Sequence, residues 1–248
     1  MQLWTKEHAL TLIPAIIIML LLGLVARKTL GNRSRKIRMI PIQIIAVLLL
    51  LLEVGKQAVS LYRGYDLYCL PFHFCSLYLF TLPLMAFYRG KHQHAVDTIN
   101  AAITTALFLI MLIYPSLIYS SNDIVNFFND YPNFHTVAFH NLVMLACVLI
   151  PALKLYSPAP KGEAKVILLF ISCFCAVSSI MAQLLETNFN NFYHCNIPPL
   201  EEVRLSLQGV LGYGLTQFLY ILIVAALDLL VVLMCWRLSR MITKKTHP

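Results

Sequence analysis

Two residues able to do covalent chemistry stand two apart in an apolar stretch: His73 and Cys75 of Cys69-Leu70-Pro71-Phe72-His73-Phe74-Cys75-Ser76. A thiol attacks an acyl carbonyl as its thiolate, a form favoured at a helix N-terminus or beside a base. Pro71 suits a first helical position, where its missing N–H costs little. The pattern therefore predicts a helix opening there, with Cys75 just past its first turn. On a regular helix, residues two apart point to different sides, so a base for Cys75 has to come from another helix. His140 is the candidate: six residues into a later apolar run, it lies about 9 Å deep, against about 7–8 Å for Cys75 counted from Leu70, at the helical rise per residue. A cysteine and a histidine at one depth suit acyl transfer through a thioester, with the imidazole as general base.

Other polar groups fall at the same level. Glu53 and Lys56 are three apart on one helix face. They read either as a self-neutralising pair pointing inward or as substrate-binding groups, Glu53 orienting a histidine and Lys56 gripping a phosphate or carboxylate. The loop from Glu186 to Pro199 is polar and aromatic, and reads as a lid over the site or as an interfacial aromatic belt. Its Asn188 amide and Lys56 are candidate oxyanion donors. Asp228 lies deep in the last apolar run, where a structural hydrogen bond or an ion or proton site are the two readings. Cys69 and Cys195 both lie on the outer side, where pairing is one reading that spacing alone does not decide, while Cys147, Cys173, Cys175 and Cys235 read as packing residues. His92-Gln93-His94 has no third ligand nearby, so no zinc site is expected, nor is there a glycine-rich phosphate loop.

The elements that position these residues follow from composition. Of the 248 residues, 59% are hydrophobic and 12% charged, about half the charged fraction of a soluble domain, and mean hydropathy is +0.75. Uncharged runs predict an all-α polytopic membrane protein: a single domain forming a seven-transmembrane-helix bundle, with spans at about 9–26, 40–62, 67–88, 98–119, 134–153, 166–185 and 210–236. With alternating topology one side carries 15 of the 19 basic residues, and the other holds Lys6, Lys56, Arg63 and Arg204. The positive-inside rule then places the N-terminus outside and the C-terminus in the cytoplasm. The net charge of +8 is read as an orientation signal and a match to anionic headgroups, not as nucleic-acid binding.

Several of these residues also carry a resemblance. Glu53-Val54-Gly55-Lys56, then Leu70-Pro71-Phe72-His73-Phe74-Cys75, Phe139-His140-Asn141-Leu142 running on to Pro151, and Thr187-Asn188-Phe189 followed by Pro198-Pro199 resemble the bacterial YwaF-like integral membrane proteins. That family is grouped with transmembrane protein 164 of animals, regarded as a cysteine-dependent acyltransferase that moves fatty acyl chains between phospholipids. The resemblance implies Cys75 as nucleophile, His140 as base and His73 in support, in a bacterial plasma membrane. It departs at Ser76, where the animal motif has a second histidine; Ser76 donates a hydrogen bond but carries no charge.

The expected function is thus a lipid acyltransferase or acyl hydrolase acting on membrane phospholipids or lysophospholipids at the outer side of the bundle, with no metal and no cofactor. The alternative is a non-enzymatic transporter or receptor-like protein that binds a small anionic or lipid ligand in the same cavity through Lys56, His73 and His140.

Overall fold

The computed structural model describes residues 4–118, 120–159 and 161–246. The helices among them are α1 (Lys6–Leu30), α2 (Arg35–Arg38), α3 (Ile40–Tyr62), α4 (Tyr78–Phe87), α5 (Gln93–Ile113), α6 (Ser121–Val125), α7 (Tyr131–Ala152), α8 (Glu163–Leu184), α9 (Pro198–Leu211) and α10 (Tyr213–Thr246), joined in places by short 3-10 turns. Six of them are long and apolar enough to cross a membrane. The expected second span coincides with α3; the first, fourth, fifth and sixth correspond to α1, α5, α7 and α8 with shifted ends. The expected end of the fourth span at Tyr119 lies outside the described residues. Within them α5 stops at Ile113, because Tyr114 precedes Pro115 and is pushed out of the helical region.

The third span differs most from expectation. Its helix does not open at Pro71. The chain makes a 3-10 turn at Leu67–Cys69, runs extended through Leu70 and His73, turns again at Phe74–Leu77, and only then enters α4. The apolar segment Phe74–Phe87 rises about 23 Å, short of the roughly 30 Å hydrocarbon core. The expected seventh span corresponds to α10, which opens three residues later, at Tyr213, and runs on to Thr246. Gly212, at φ 77°, separates α10 from α9, whose Leu200, Val203, Leu207 and Val210 face outward while Arg204 and Gln208 are half-buried.

Packing follows the apolar surfaces. α3, α4, α5, α7 and α8 contribute Leu49, Tyr78, Leu82, Ile103, Val143 and Ile171 to one buried cluster. The opposite faces are apolar too: Leu21, Leu24 and Val25 of α1 are each more than half exposed. A helix apolar on all sides is stable against lipid, not water. The N-terminal turn of α1 is capped by Thr5, whose hydroxyl lies 2.7 Å from His8 Nδ1 and 2.8 Å from Ser121 Oγ.

Hydrogen bonds sort the helix ends into two groups. At one end, Arg35 of α2 holds both oxygens of Asp97 on α5 at 2.8 Å, and Arg38 donates to the carbonyls of Leu153 and Lys154 after α7. Glu163, at the start of α8, accepts there from Tyr156 Oη and Trp236 Nε1 and meets His94 Nε2. We call this the cationic end. At the other end lie the last turns of α3, the interrupted segment 66–77, the start of α7, and the loop before α9.

Helix α7 approaches α3 closely at Gly55. A Cβ there would run into the Tyr131 hydroxyl, which donates to Leu52 O at 2.9 Å. Gly55→Ala is therefore expected to destabilise the fold by about 1–3 kcal/mol, seen as a lowered thermal midpoint in detergent. Tyr131→Ala in the same chain should recover part of the loss.

Candidate functional site

The interrupted segment sets the site. After α3, Gly64 and Tyr65 take positive φ and turn the chain back, and the Asp66 carboxylate caps the first 3-10 turn by accepting from Tyr68 N at 2.9 Å. Pro71 favours extended backbone before it. His73 is extended, and Cys75 sits in the second 3-10 turn, ahead of α4. Cys75 therefore does not lie one turn inside a helix begun at Pro71, and its depth does not follow from counting helical rise from Leu70. The separation of His73 and Cys75 expected on a helix is also lifted, since both line one cavity of about 340 Å³.

His73 Nε2 lies 3.1 Å from Tyr68 O. A carbonyl only accepts, so Nε2 carries the proton and Nδ1 is left as the acceptor nitrogen. The ring packs against Tyr68 and Phe189, with centroids 4.4 and 5.4 Å away.

Phe189 and Phe192 are fully buried, so this part of the loop after α8 plugs the bundle, while His194 and Asn196 to Pro199 are exposed. Asn188 orders it: its Oδ1 accepts from Tyr193 N and His194 N at 3.1 Å each, and its Nδ2 donates to Asn196 Oδ1 at 3.2 Å. Asn188 lines the Cys75 cavity with its amide thus engaged. Asn190 and Asn191 both have positive φ, a region asparagine tolerates better than most residues. Asn190 Nδ2 donates to Asp228 Oδ2 at 2.6 Å, and Tyr220 Oη to Asn191 O at 2.6 Å. Asp228 lines the same cavity. Its signal was a carboxylate inside an apolar span; its partner, 38 residues earlier, had no signal in the spacing.

His140 is placed differently. It is buried on α7, and its Nδ1 meets Thr136 O at 2.6 Å. It does not line the Cys75 cavity, and among the described residues no hydrogen bond joins it to Cys75.

Glu53 and Lys56 form the inward ion pair, Nζ to Oε1 at 2.9 Å, and neither lines that cavity. Glu53 also accepts from Gln57 Nε2 at 2.7 Å and lies 3.5 Å from His135 Nε2. Gln57 reaches on to Cys69 O at 2.9 Å and accepts from Tyr65 Oη at 2.8 Å. The cluster thus fastens the interrupted segment to α3. His135 stood one residue inside the predicted fifth span, and only its proximity to Glu53 reveals it. Cys69 and Cys195 are unpaired thiols.

Because Lys56 and Glu53 neutralise each other away from bulk water, removing one alone should cost more than removing both. Lys56→Met is expected to destabilise the protein by about 3 kcal/mol, and Glu53→Leu with Lys56→Met by clearly less. Thermal midpoints of the two single variants and the double variant measure the coupling.

No curated protein matches the chain, and no solved structure does. The sequence model of the TMEM164 family matches residues 3–238, nearly the whole length. The chain, with its six apolar helices and the Cys75 cavity between them, belongs to the TMEM164 family.

Proposed function

We propose that the protein is a membrane-embedded lipid acyltransferase or acyl hydrolase with Cys75 as nucleophile. The observation that carries this reading is the shared cavity of Cys75 and His73, a thiol and an imidazole whose Nε2 is engaged by Tyr68 O, at the end of the bundle away from the cationic cluster. His73 Nδ1 takes the Cys75 proton as Sγ attacks the ester carbonyl of a phospholipid. The tetrahedral intermediate collapses, the imidazolium returns the proton to the leaving alkoxide, and a lysophospholipid departs. The hydroxyl of an acceptor lysolipid, or water, then attacks the thioester, passing its proton to His73, and the thiol is restored. Donors near the sulfur for the transient oxyanion are the Cys75 N–H and the Ser76 hydroxyl; the Ser76 N–H is engaged by His73 O at 2.9 Å.

The family resemblance assigns proton abstraction to His140; the cavity favours His73. The alternative of anion capture by Lys56, His73 and His140 has less support, because Lys56 is engaged by Glu53. The basic-residue asymmetry supports seven crossings, with the N-terminus outside and the C-terminus in the cytoplasm of a bacterial cell, the short segment Phe74–Phe87 making the third crossing.

Intact-protein mass spectrometry after purification from membranes tests the chemistry. A fatty-acyl adduct, released by hydroxylamine, is expected on the wild type and absent from Cys75→Ala. His73→Gln should slow its formation by about 10²–10⁴-fold, the usual contribution of a general base, and His140→Ala by much less. An adduct lost in His140→Ala but intact in His73→Gln reverses the two assignments. No adduct in the presence of added phospholipid sinks the acyl-transfer reading.

A further inference from the structure

A second cavity lies toward the cationic end of the bundle, apart from Cys75 and its chemistry. It measures about 530 Å³, within the roughly 300–1,000 Å³ range of small-ligand sites. Helices α7 and α5 form its floor; α1 and the last turns of α10 form its sides. The walls are apolar, among them Leu24, Phe108, Val148 and Ile150. Leu24, at its α1 edge, is 63% exposed on the outward surface of the bundle, so the furrow is continuous with the face that lipid covers.

Its polar side chains include two cations, Arg27 and Lys154, and the hydroxyls of Thr104, Thr105, Tyr156, Ser239 and Thr243. No carboxylate lines it. Three basic residues near the furrow are committed elsewhere: Arg35 to Asp97 and Leu155 O, Arg38 to two carbonyls, and Arg240 lies near Glu163. Among the described residues no hydrogen bond or ion pair occupies the side chain of Arg27 or Lys154. Lys154 is also held in place. Its φ is 52°, a left-handed conformation that costs a non-glycine residue stability. Arg38 fastens it by accepting nothing and donating to the carbonyls on both sides of that peptide, at 2.8 and 2.9 Å.

We infer that this furrow binds one anionic glycerophospholipid. An acyl chain lies along the apolar floor, and the phosphate meets Arg27 and Lys154, with Ser239 as a hydroxyl donor. Basic pockets between membrane helices recognise anionic headgroups in this way. The site does not depend on acyl transfer at Cys75, and the bound lipid is not the reacting one.

Native mass spectrometry of the detergent-solubilised full chain, titrated separately with phosphatidylglycerol and phosphatidylcholine, tests it. The wild type should retain one phosphatidylglycerol in preference to phosphatidylcholine. Arg27→Gln and Lys154→Gln should each weaken phosphatidylglycerol binding about fivefold, and together about 25-fold. Arg33→Gln with Lys36→Gln removes the same charge from exposed positions outside the furrow and should leave binding within about twofold, the scale of general surface attraction. Thr105→Trp fills the floor with both cations in place and should abolish retention; if it does not fold, the charge variants decide alone. Equal retention of the two lipids, or equal losses in the Arg27/Lys154 and Arg33/Lys36 pairs, overturns the proposal.

Discussion

Every backbone N–H and C=O inside a bilayer must find a partner within the protein, and the interrupted segment between α3 and α4 is where that demand is hardest to meet. Its turns expose backbone groups that a continuous helix would satisfy by itself. Side chains from elsewhere supply the partners: the Asp66 carboxylate accepts from Tyr68 N, Gln57 donates to Cys69 O, His73 to Tyr68 O, and Ser178 of α8 to Phe72 O at 2.8 Å. Glu53 and Lys56, which look like binding residues in the sequence, hold Gln57 in position to do this. Cys75 is presented by a break in regular structure, and a polar scaffold on α3, α7 and α8 keeps the break in one shape.

The loop after α8 meets the same demand from the other side. Asn188, Asn190 and Asn191 turn it tightly, and Gln217 and Gln183 donate to the Phe192 carbonyl at 2.9 and 3.0 Å. Phe189 is driven into the core, where its ring meets both Phe72 and His73. The two irregular segments therefore brace each other, and the Cys75 cavity is the space left between them. Asp228 anchors the arrangement from α10 through Asn190.

Much of the fold is legible in the sequence because lipid imposes a simple rule: long uncharged runs become helices. Ile40–Tyr62 was recoverable to the residue, since charges and glycine bound it on both sides. The irregular parts were not. Pro71 fits a helix start and an extended entry equally well, and only tertiary partners choose the second. Helix α9 does carry a signal, Leu200, Val203, Leu207 and Val210 at three- and four-residue spacing after Pro198-Pro199, but its apolar face points outward, the reverse of a soluble helix. Of the site, Cys75 and His73 are readable as residue types. The change of backbone that puts them in one cavity is not, nor is the long-range pairing of Asp228 with Asn190.

The shortness of the segment Phe74–Phe87 acts on the surrounding lipid. A segment of about 23 Å set among helices of 21 residues and more leaves a deficit of some 7 Å against the hydrocarbon core. Bilayers answer such mismatch by thinning locally. On the proposed third crossing, the leaflet beside α4 is drawn down toward the 3-10 turn that carries Cys75, which would bring the ester linkages of neighbouring glycerolipids closer to the level of the thiol. A lipid substrate, on the proposed acyl-transfer reading, would then approach the sulfur by sliding sideways out of the leaflet, with its chains still in hydrocarbon.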